Sequence, residues 1–587
     1  MPENKTRKGY LGWGTGPALR IVVVATAIAA VSLRIRNSLA PVGRLEAVVI
    51  AEYSFIIFVA IAFAALYAGF AEHVRPGKVL EFPGLVLPVA ALLFCGVYKL
   101  GMHQFGGFDE DLLVHAGTFY AQGLRPYIDF HCTMPPLFMA CIRFAVNLFG
   151  LRWAALTLIP ATFSALTSVW IFVLLRYYSM PRRWALAVTI AVEMSTMLAI
   201  PFWWYNNSSS IVVVLLLLSV LACLRRQESY LPWISLSISL AMVLTAKPNV
   251  APACLMPLAL LVTRDKTRWT KALSAAVGAL SLAALICFAA QMPPTDVLHS
   301  YAEVAKLRGE PFLILRKMGW PDKQFQICFI CATALCFAAP LAISLKRNAR
   351  RWLELAVCTI AALTSLGMAG TNSEMKSSDL APLLVGVAIL CICPWGELEA
   401  SRGRKTVLVG LLSVFIAMSG LYSVIHLRIY NIGSRLYYEP LPTKTIQSGF
   451  FAGLEAGPRL ERVFSQTGEA LSLIPAQKVF FGPRMEFGYA VFGKTVTPGM
   501  PLVWDTGNLF SPQRLPGFLL NFQRRDPDLL IFLKDDYTRM GLVAFYIRTT
   551  ETYQRIDLFS ELTVYVRRKE VPITYIRVPA GDLALSR

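Results

Sequence analysis

"GGFDEDLLVHAGTFYAQGLRPYIDFHCTMPPL", residues 106–137, is the most polar stretch in the first 290 residues, carrying Asp109, Glu110, Asp111, His115, Arg125, Asp129 and His131. Everything around it is apolar. The chain has 587 residues, 56% hydrophobic and 16% charged, with a mean hydropathy of +0.54. Such a composition with many long apolar runs excludes a single soluble globule. A helix needs about 20 mostly apolar residues to cross the hydrocarbon core. Charge-free runs of that kind lie at 153–175, 205–224, 272–295, 324–345 and 406–425, and shorter ones at 53–70, 82–98, 229–246, 248–263, 355–373 and 380–396. Glu193 alone interrupts 184–204, and 21–33 is marginal. The fold class read from this pattern is an all-α polytopic membrane protein of about 13 transmembrane helices.

Most of the 12 cysteines fall inside these runs, Cys254, Cys287, Cys328 and Cys331 among them, where they act as small packing hydrophobes. The first apolar run is followed by arginines and lacks a small-residue cleavage pattern, so an uncleaved first span is expected rather than a secretory signal peptide. The net charge of +20 is dispersed as short clusters between spans. That distribution is a topology signal, and no nucleic-acid partner is expected.

Orientation follows from those clusters. Arg176, Arg182 and Arg183; Arg225 and Arg226; Arg264, Lys266, Arg268 and Lys271; Lys346, Arg347, Arg350 and Arg351; and Arg402, Arg404 and Lys405 fall in alternate short loops, which the positive-inside rule assigns to the cytoplasm. The opening stretch (103–152), the loop 291–322, the turn 371–379 and the tail 428–587 then emerge on the external face. Parity requires that 134–150 lie along the interface instead of crossing. Arg34, Arg36 and Arg44 fall on the outside, so either the first hairpin is unusual or residues 18–33 lie in the interface. The tail changes character: "KVFFG" (478–482), "LLIFLK" (529–534) and "LTVYV" (562–566) read as strands, and 450–472 as a helix. Residues 1–427 are therefore expected to form the membrane part and 428–587 a small extracytoplasmic α/β domain. No repeat, phosphate-binding loop or dinucleotide glycine fingerprint is present.

A loop that places "FDED", then "GLRPYIDF" and a Pro-Pro helix start just outside a membrane is richer in aromatic and fixed-geometry residues than a linker. The pattern resembles the first external loop of the GT-C superfamily of membrane glycosyltransferases, and within it the branch of protein O-mannosyltransferases and lipid A aminoarabinose transferases. The matching residues are Asp109-Glu110, Ala121, Gly123, Pro126-Tyr127, Asp129 and Pro135-Pro136-Leu137. "TAKPNVAP" (245–252), the loop 291–322 and "TNSEMKSSDLAPLL" (371–384) are similar to further elements of that superfamily. Lys376 and Asp379 stand where its members usually carry Lys-x-x-Tyr, and two spans precede the one that normally comes first.

The resemblance implies transfer of a sugar from a polyprenyl-phosphate donor to a lipid, glycan or protein acceptor, in a bacterial inner (cell) membrane with the site facing outward. The leaving group is a phosphate monoester, so the chemistry needs a base for the acceptor and a cation for the departing phosphate. A carboxylate partly shielded from water suits the first role, because desolvation raises its basicity. Asp109, with Glu110 beside it, is the candidate base; Lys247, Arg125 and Lys376 are candidates for the phosphate; Asp129, His131, Tyr127 and Asn249 are candidates for substrate contact. A divalent metal is compatible with this chemistry but not required, since His103, His115 and His131 show no tight ligand spacing, and no other cofactor is expected. Each residue has a plainer role as well. The acids suit a helix start, Asp129 suits a cap of the "GLRPY" turn, and Lys247 suits a helix end from which it reaches the interface. Glu193 suits a hydrogen bonder within the bundle, and Trp203-Trp204-Tyr205 an interfacial aromatic belt. A secondary transporter or flippase of an amphipathic lipid-linked substrate is the alternative, although only one broken helix, at Lys247-Pro248, is evident.

Overall fold

The structure is a computed structural model. It describes residues 83–103, 105–107, 109–178, 180–225, 229–250, 268–308, 377–392, 443–504, 509–534 and 551–569, with a few single positions between them. The apolar runs at 21–33, 53–70, 324–345 and 406–425, most of 248–263 and 355–373, and Lys376 lie outside the described residues.

The membrane part comprises α1 (Pro83–Gly101), α2 (Asp109–Ala121), α3 (Pro136–Phe149), α4 (Trp153–Tyr177), α5 (Arg182–Ser195), α6 (Tyr205–Arg225), α7 (Leu231–Ala246), α8 (Arg268–Ala289), α9 (Pro294–Arg308) and α10 (Ala381–Ile392). Among the described residues three helices are long and apolar enough to cross a membrane, Trp153–Tyr177, Tyr205–Cys223 and Trp269–Ala289. Shorter apolar helices surround them.

α6 is the centre. Ile211, Val212, Val213, Val214, Leu215 and Leu216 have no exposed surface, because α4, α7 and α10 pack around this helix. α8 is the opposite case, with Leu273, Val277, Leu280 and Phe288 all more than half exposed. Their spacing of four, three and eight residues keeps them on one side of the helix as an apolar stripe, the face such a helix offers to lipid. α3 has 14 residues, a length of roughly 21 Å at 1.5 Å per residue, too short for a core of about 30 Å. It buries Phe138, Met139 and Ile142 and exposes Phe144 and Leu148, so one face is packed and the other open.

The run 184–204 is not one helix. α5 ends at Ser195, the Ser195 and Thr196 hydroxyls donate back to the Val192 carbonyl at 2.9 and 2.7 Å, and Pro201 disfavours helical geometry at the residue before it. Within α5, Glu193 accepts from Ser164 Oγ at 2.6 Å and Thr167 Oγ1 at 3.1 Å, both on α4.

The tail forms a four-stranded sheet of order β3-β4-β6-β5 from β3 (Val479–Phe481), β4 (Leu529–Leu533), β5 (Tyr553–Ile556) and β6 (Leu562–Arg567). β3 and β4 are parallel, the other pairs antiparallel, with Ile531 opposite Val564. A short ribbon of β1 (Lys444–Thr445) and β2 (Glu455–Ala456) precedes it. The helices are α11 (Pro458–Leu473), α12 (Phe487–Val491) and α13 (Leu515–Arg525). Every residue of β4 is buried, which explains its unbroken apolar run. Leu529, Ile531 and Leu533 join the core that contains α11 and the membrane helices. Leu530 and Phe532 face the second core with Phe518 and Phe522 of α13. One hydrophobic core thus runs without a break from the bundle, through α2, to one face of the tail sheet.

Candidate functional site at residues 106–137

The loop starts on a tight turn. Gly107 has φ +75°, and a Cβ there would lie 2.1 Å from the Tyr437 ring, so the position accepts no side chain without displacement. Phe105 sits in an aromatic nest, 5.2 Å from Trp153, 5.0 Å from Phe451 and 5.6 Å from Phe487. α2 begins at Asp109 immediately afterwards. It ends at Gly123 (φ +75°), where Leu124 N–H reaches the Phe119 carbonyl at 2.9 Å and Gly123 N–H the Tyr120 carbonyl at 3.0 Å, the paired bonds of a left-handed helix end.

The three acids at the start of α2 differ in environment. Asp109 is partly exposed. Glu110 is buried and accepts from the Gly106 N–H. Asp111 is buried, and its two oxygens accept from the Glu486 N–H at 3.0 Å and the Phe487 N–H at 2.7 Å, at the entry to α12. Burial raises the Asp111 carboxyl to about 6, against the pull of those bonds and of Arg484. Burial also lifts Glu486 well above its ordinary value, with Asp111 as the second cause.

One turn on, His115 Nδ1 lies 3.1 Å from the Leu502 carbonyl, and burial lowers the ring to about 4, leaving it neutral at neutral pH. Further along the same face, Gln122 donates to the Lys494 carbonyl at 2.9 Å and accepts from Val496 N–H at 3.0 Å. Asp111, His115 and Gln122 therefore form one stripe, at i, i+4 and i+11, that grips the tail.

The turn after α2 is also built against the tail. Asp129 accepts from the Arg125 N–H at 2.8 Å and lies 3.5 Å from its guanidinium, so these two residues close their own turn. Tyr127, at φ 67°, donates its backbone N–H to Phe130 at 2.8 Å. The Asp129 carbonyl accepts from Gly499 N–H at 2.7 Å, and the His131 backbone pairs with Met500 and Leu502 at 3.0 and 2.8 Å. The His131 ring packs on Phe510 and Phe518 at 6.0 and 5.7 Å, and its buried Nε2 has no hydrogen-bond partner. Burial first, and Arg514 second, lower this ring to about 4.

No family model and no curated protein matches this chain. Among solved structures, it is similar to a crystal structure of ArnT from Cupriavidus metallidurans bound to undecaprenyl phosphate. The identity is 14%, the TM-score 0.45, and the match covers 83% of this chain and 98% of that one. The apo structure of the same protein is similar at 15% identity and TM-score 0.44, over the same shares.

Lys247 lies elsewhere on the bundle. It caps α7 at φ −152°, ψ 73°, is buried, and is followed by the 3-10 turn Pro248–Val250 with Asn249 exposed. α7 and α2 both pack on α3, so α3 links the two candidate regions. A polar patch that the motif reading passes over lies at the head of α6. Asn206, Asn207, Ser208, Ser209 and Ser210 are all buried, and the Asn206 and Asn207 Oδ1 atoms and Ser378 Oγ have no hydrogen-bond partner. The 3-10 turn Ser377–Leu380, which contains buried Asp379, packs against α6 and α5. Six consecutive polar residues at 205–210, in a run otherwise as apolar as any in the chain, were the available signal. Among the described residues no group of three or more His, Cys, Asp or Glu is arranged to hold a metal ion.

Proposed function

We propose that this protein is a glycosyltransferase of the GT-C type that moves a sugar from a polyprenyl-phosphate donor to a lipid, glycan or protein acceptor on the external side of a bacterial cell membrane. The observation that carries this reading is the contrast within "DED". Glu110 and Asp111 are buried, whereas Asp109 is partly exposed at the start of a helix that opens the membrane-proximal loop. The resemblance of residues 109–137 to the first external loop of that superfamily supports it.

In this reading Asp109 takes the proton from the acceptor hydroxyl or amine as that atom attacks the anomeric carbon. The sugar–phosphate bond breaks with inversion, and the bond's electrons leave on the lipid phosphate. Lys247 is the first choice to meet that developing charge, with Lys376 and Arg125 behind it; Arg125 is already engaged with Asp129. Tyr127, Asp129, His131 and Asn249 remain proposed substrate contacts, His131 as a neutral ring. The chemistry needs no metal. Residues 1–427 are proposed as the membrane catalytic part and 428–587 as an extracytoplasmic domain that helps orient the acceptor.

The test uses full-length protein in detergent with a panel of radiolabelled polyprenyl-phosphate sugars, scored for transfer or hydrolysis. Turnover that disappears in Asp109→Asn with the fold intact supports the reading. No turnover with any donor, or an Asp109→Asn variant as active as the parent, overturns it.

A further inference from the structure

Where helix α2 meets the tail two acids are buried together, Asp111 on the helix and Glu486 at the entry to α12. Asp111 and Glu486 are both buried, and Asp111 in addition holds the backbone N–H groups of Glu486 and Phe487. Two acids buried next to each other with little to compensate them are tolerated only while one of them keeps its proton. The docked tail therefore retains a proton that the separated surfaces would release at neutral pH.

The surroundings offer little to replace it. Arg484 is the cation that acts on Asp111. Tyr489 faces Glu486 from α12, and Arg525 acts on that phenol. From α2, His115 stacks on Tyr489 at 5.9 Å as a neutral ring, and Glu110 is held by Gly106. Full ionisation would leave two buried carboxylates side by side with one guanidinium near them, an arrangement buried sites avoid.

We propose that Asp111 and Glu486 form a proton-linked latch that positions helix α2, and with it Asp109, against the tail, and that loss of the proton held between these two buried acids loosens the tail from the loop. The consequence for Asp109 rests on the glycosyltransferase reading; the latch itself does not. The sign follows from the carboxyls. Burial raises both docked pKa values, Asp111 to about 6 and Glu486 well above its ordinary value. Docking is therefore strongest at and below the ordinary carboxylate range of about 4, and weakens as pH climbs through the raised values.

The test is hydrogen–deuterium exchange of residues 484–491 in full-length protein between about pH 5 and pH 9, corrected for the intrinsic rate. The wild type is expected to lose about tenfold or more protection across that range, equivalent to at least about 1.4 kcal/mol. Glu486→Gln, whose amide donates to Asp111 without a titrating proton, should hold its protection flat. The kcat of sugar transfer should fall over the same range in the wild type with KM unchanged, and Glu486→Gln should remove that fall. A flat wild-type exchange profile, or a Glu486→Gln profile that falls like the wild type, overturns the latch. Should Glu486→Gln fail to fold, the wild-type profile decides alone. An exchange profile as expected with no transfer from any donor keeps the latch and overturns the glycosyltransferase reading. Transfer that needs Asp109 beside a flat exchange profile does the reverse.

Discussion

The bundle and the junction between loop and tail solve the same problem with different materials. Around α6 the contacts are apolar side chains meeting apolar side chains, with single polar bridges such as Glu193 to Ser164. At the junction, backbone and side-chain hydrogen bonds alternate: Asp111 to Phe487, His115 to Leu502, Gln122 to Val496, His131 to Met500. Lipid offers no hydrophobic drive between helices, so shape and dispersion decide there. Water competes for every polar group at the junction, so a group that docks must be matched by a partner. The polar residues that make residues 106–137 conspicuous are thus in large part the tail's docking surface. Asp109 is set apart from Glu110 and Asp111 by its exposure.

That contrast can be broken in several ways, the first with the largest effect. Asp109→Asn should lower turnover by about 10²- to 10⁴-fold while the thermal unfolding profile stays that of the parent; assay of sugar transfer beside a melting curve checks it. Trp153→Ala removes a buried ring that contacts Phe105 and Phe451 and donates to the Gly101 carbonyl at 3.0 Å. It should cost about 3–5 kcal/mol, read as a lowered melting temperature and as faster proteolysis of the tail.

Ser164→Ala takes one of two donors from Glu193 inside the bundle, a loss of about 1–3 kcal/mol that denaturation in detergent will register. The Glu193 oxygen that loses its donor is left buried beside a methyl group. A smaller effect is expected at the second attachment of the tail. His103 Nδ1 at 2.6 Å, with Lys99 at 2.5 Å, holds Glu455 down at about 2. A carboxyl with a depressed docked pKa contributes above its ordinary value near 4.5 and loses that contribution as pH falls towards 2. Exchange of the β2 amides should rise over that interval, the opposite sense to the Asp111–Glu486 contact, with solvent screening limiting the effect to about 1 kcal/mol. Least of all, Arg514→Ala breaks a partly exposed bidentate pair with Glu303, 2.8 Å at both contacts. A change in stability above about 1 kcal/mol at that pair would show that the junction is more tightly coupled than its exposure implies.

Particular residues show where sequence reading reached and where it stopped. The strands at 479–481, 529–533 and 562–567 were legible because β-branched and aromatic runs bounded by turns have few other uses. The helix at 136–149 falls within the segment 134–150 that charge parity singled out. The break of 184–204 at Ser195 was not, since its apolar content continues through Leu198 and Ile200 while hydroxyls and Pro201 end the helix. Lys376, offered as a phosphate contact, lies outside the described residues. The i, i+4, i+11 stripe of Asp111, His115 and Gln122 was present in the sequence, but its partner was not. Glu486 is 375 residues away from Asp111, and no local pattern links the two.

Sequence alone determined that this is a membrane protein whose polar residues concentrate in one loop, because hydropathy and the reach of a helix are properties of short segments. Tertiary structure alone decided which polar residues in that loop are engaged by the tail and which keep access to solvent. Burial and hydrogen-bond partnership depend on what folds back against a segment, and the partners of α2 lie in a sheet-bearing tail beyond the rest of the membrane part.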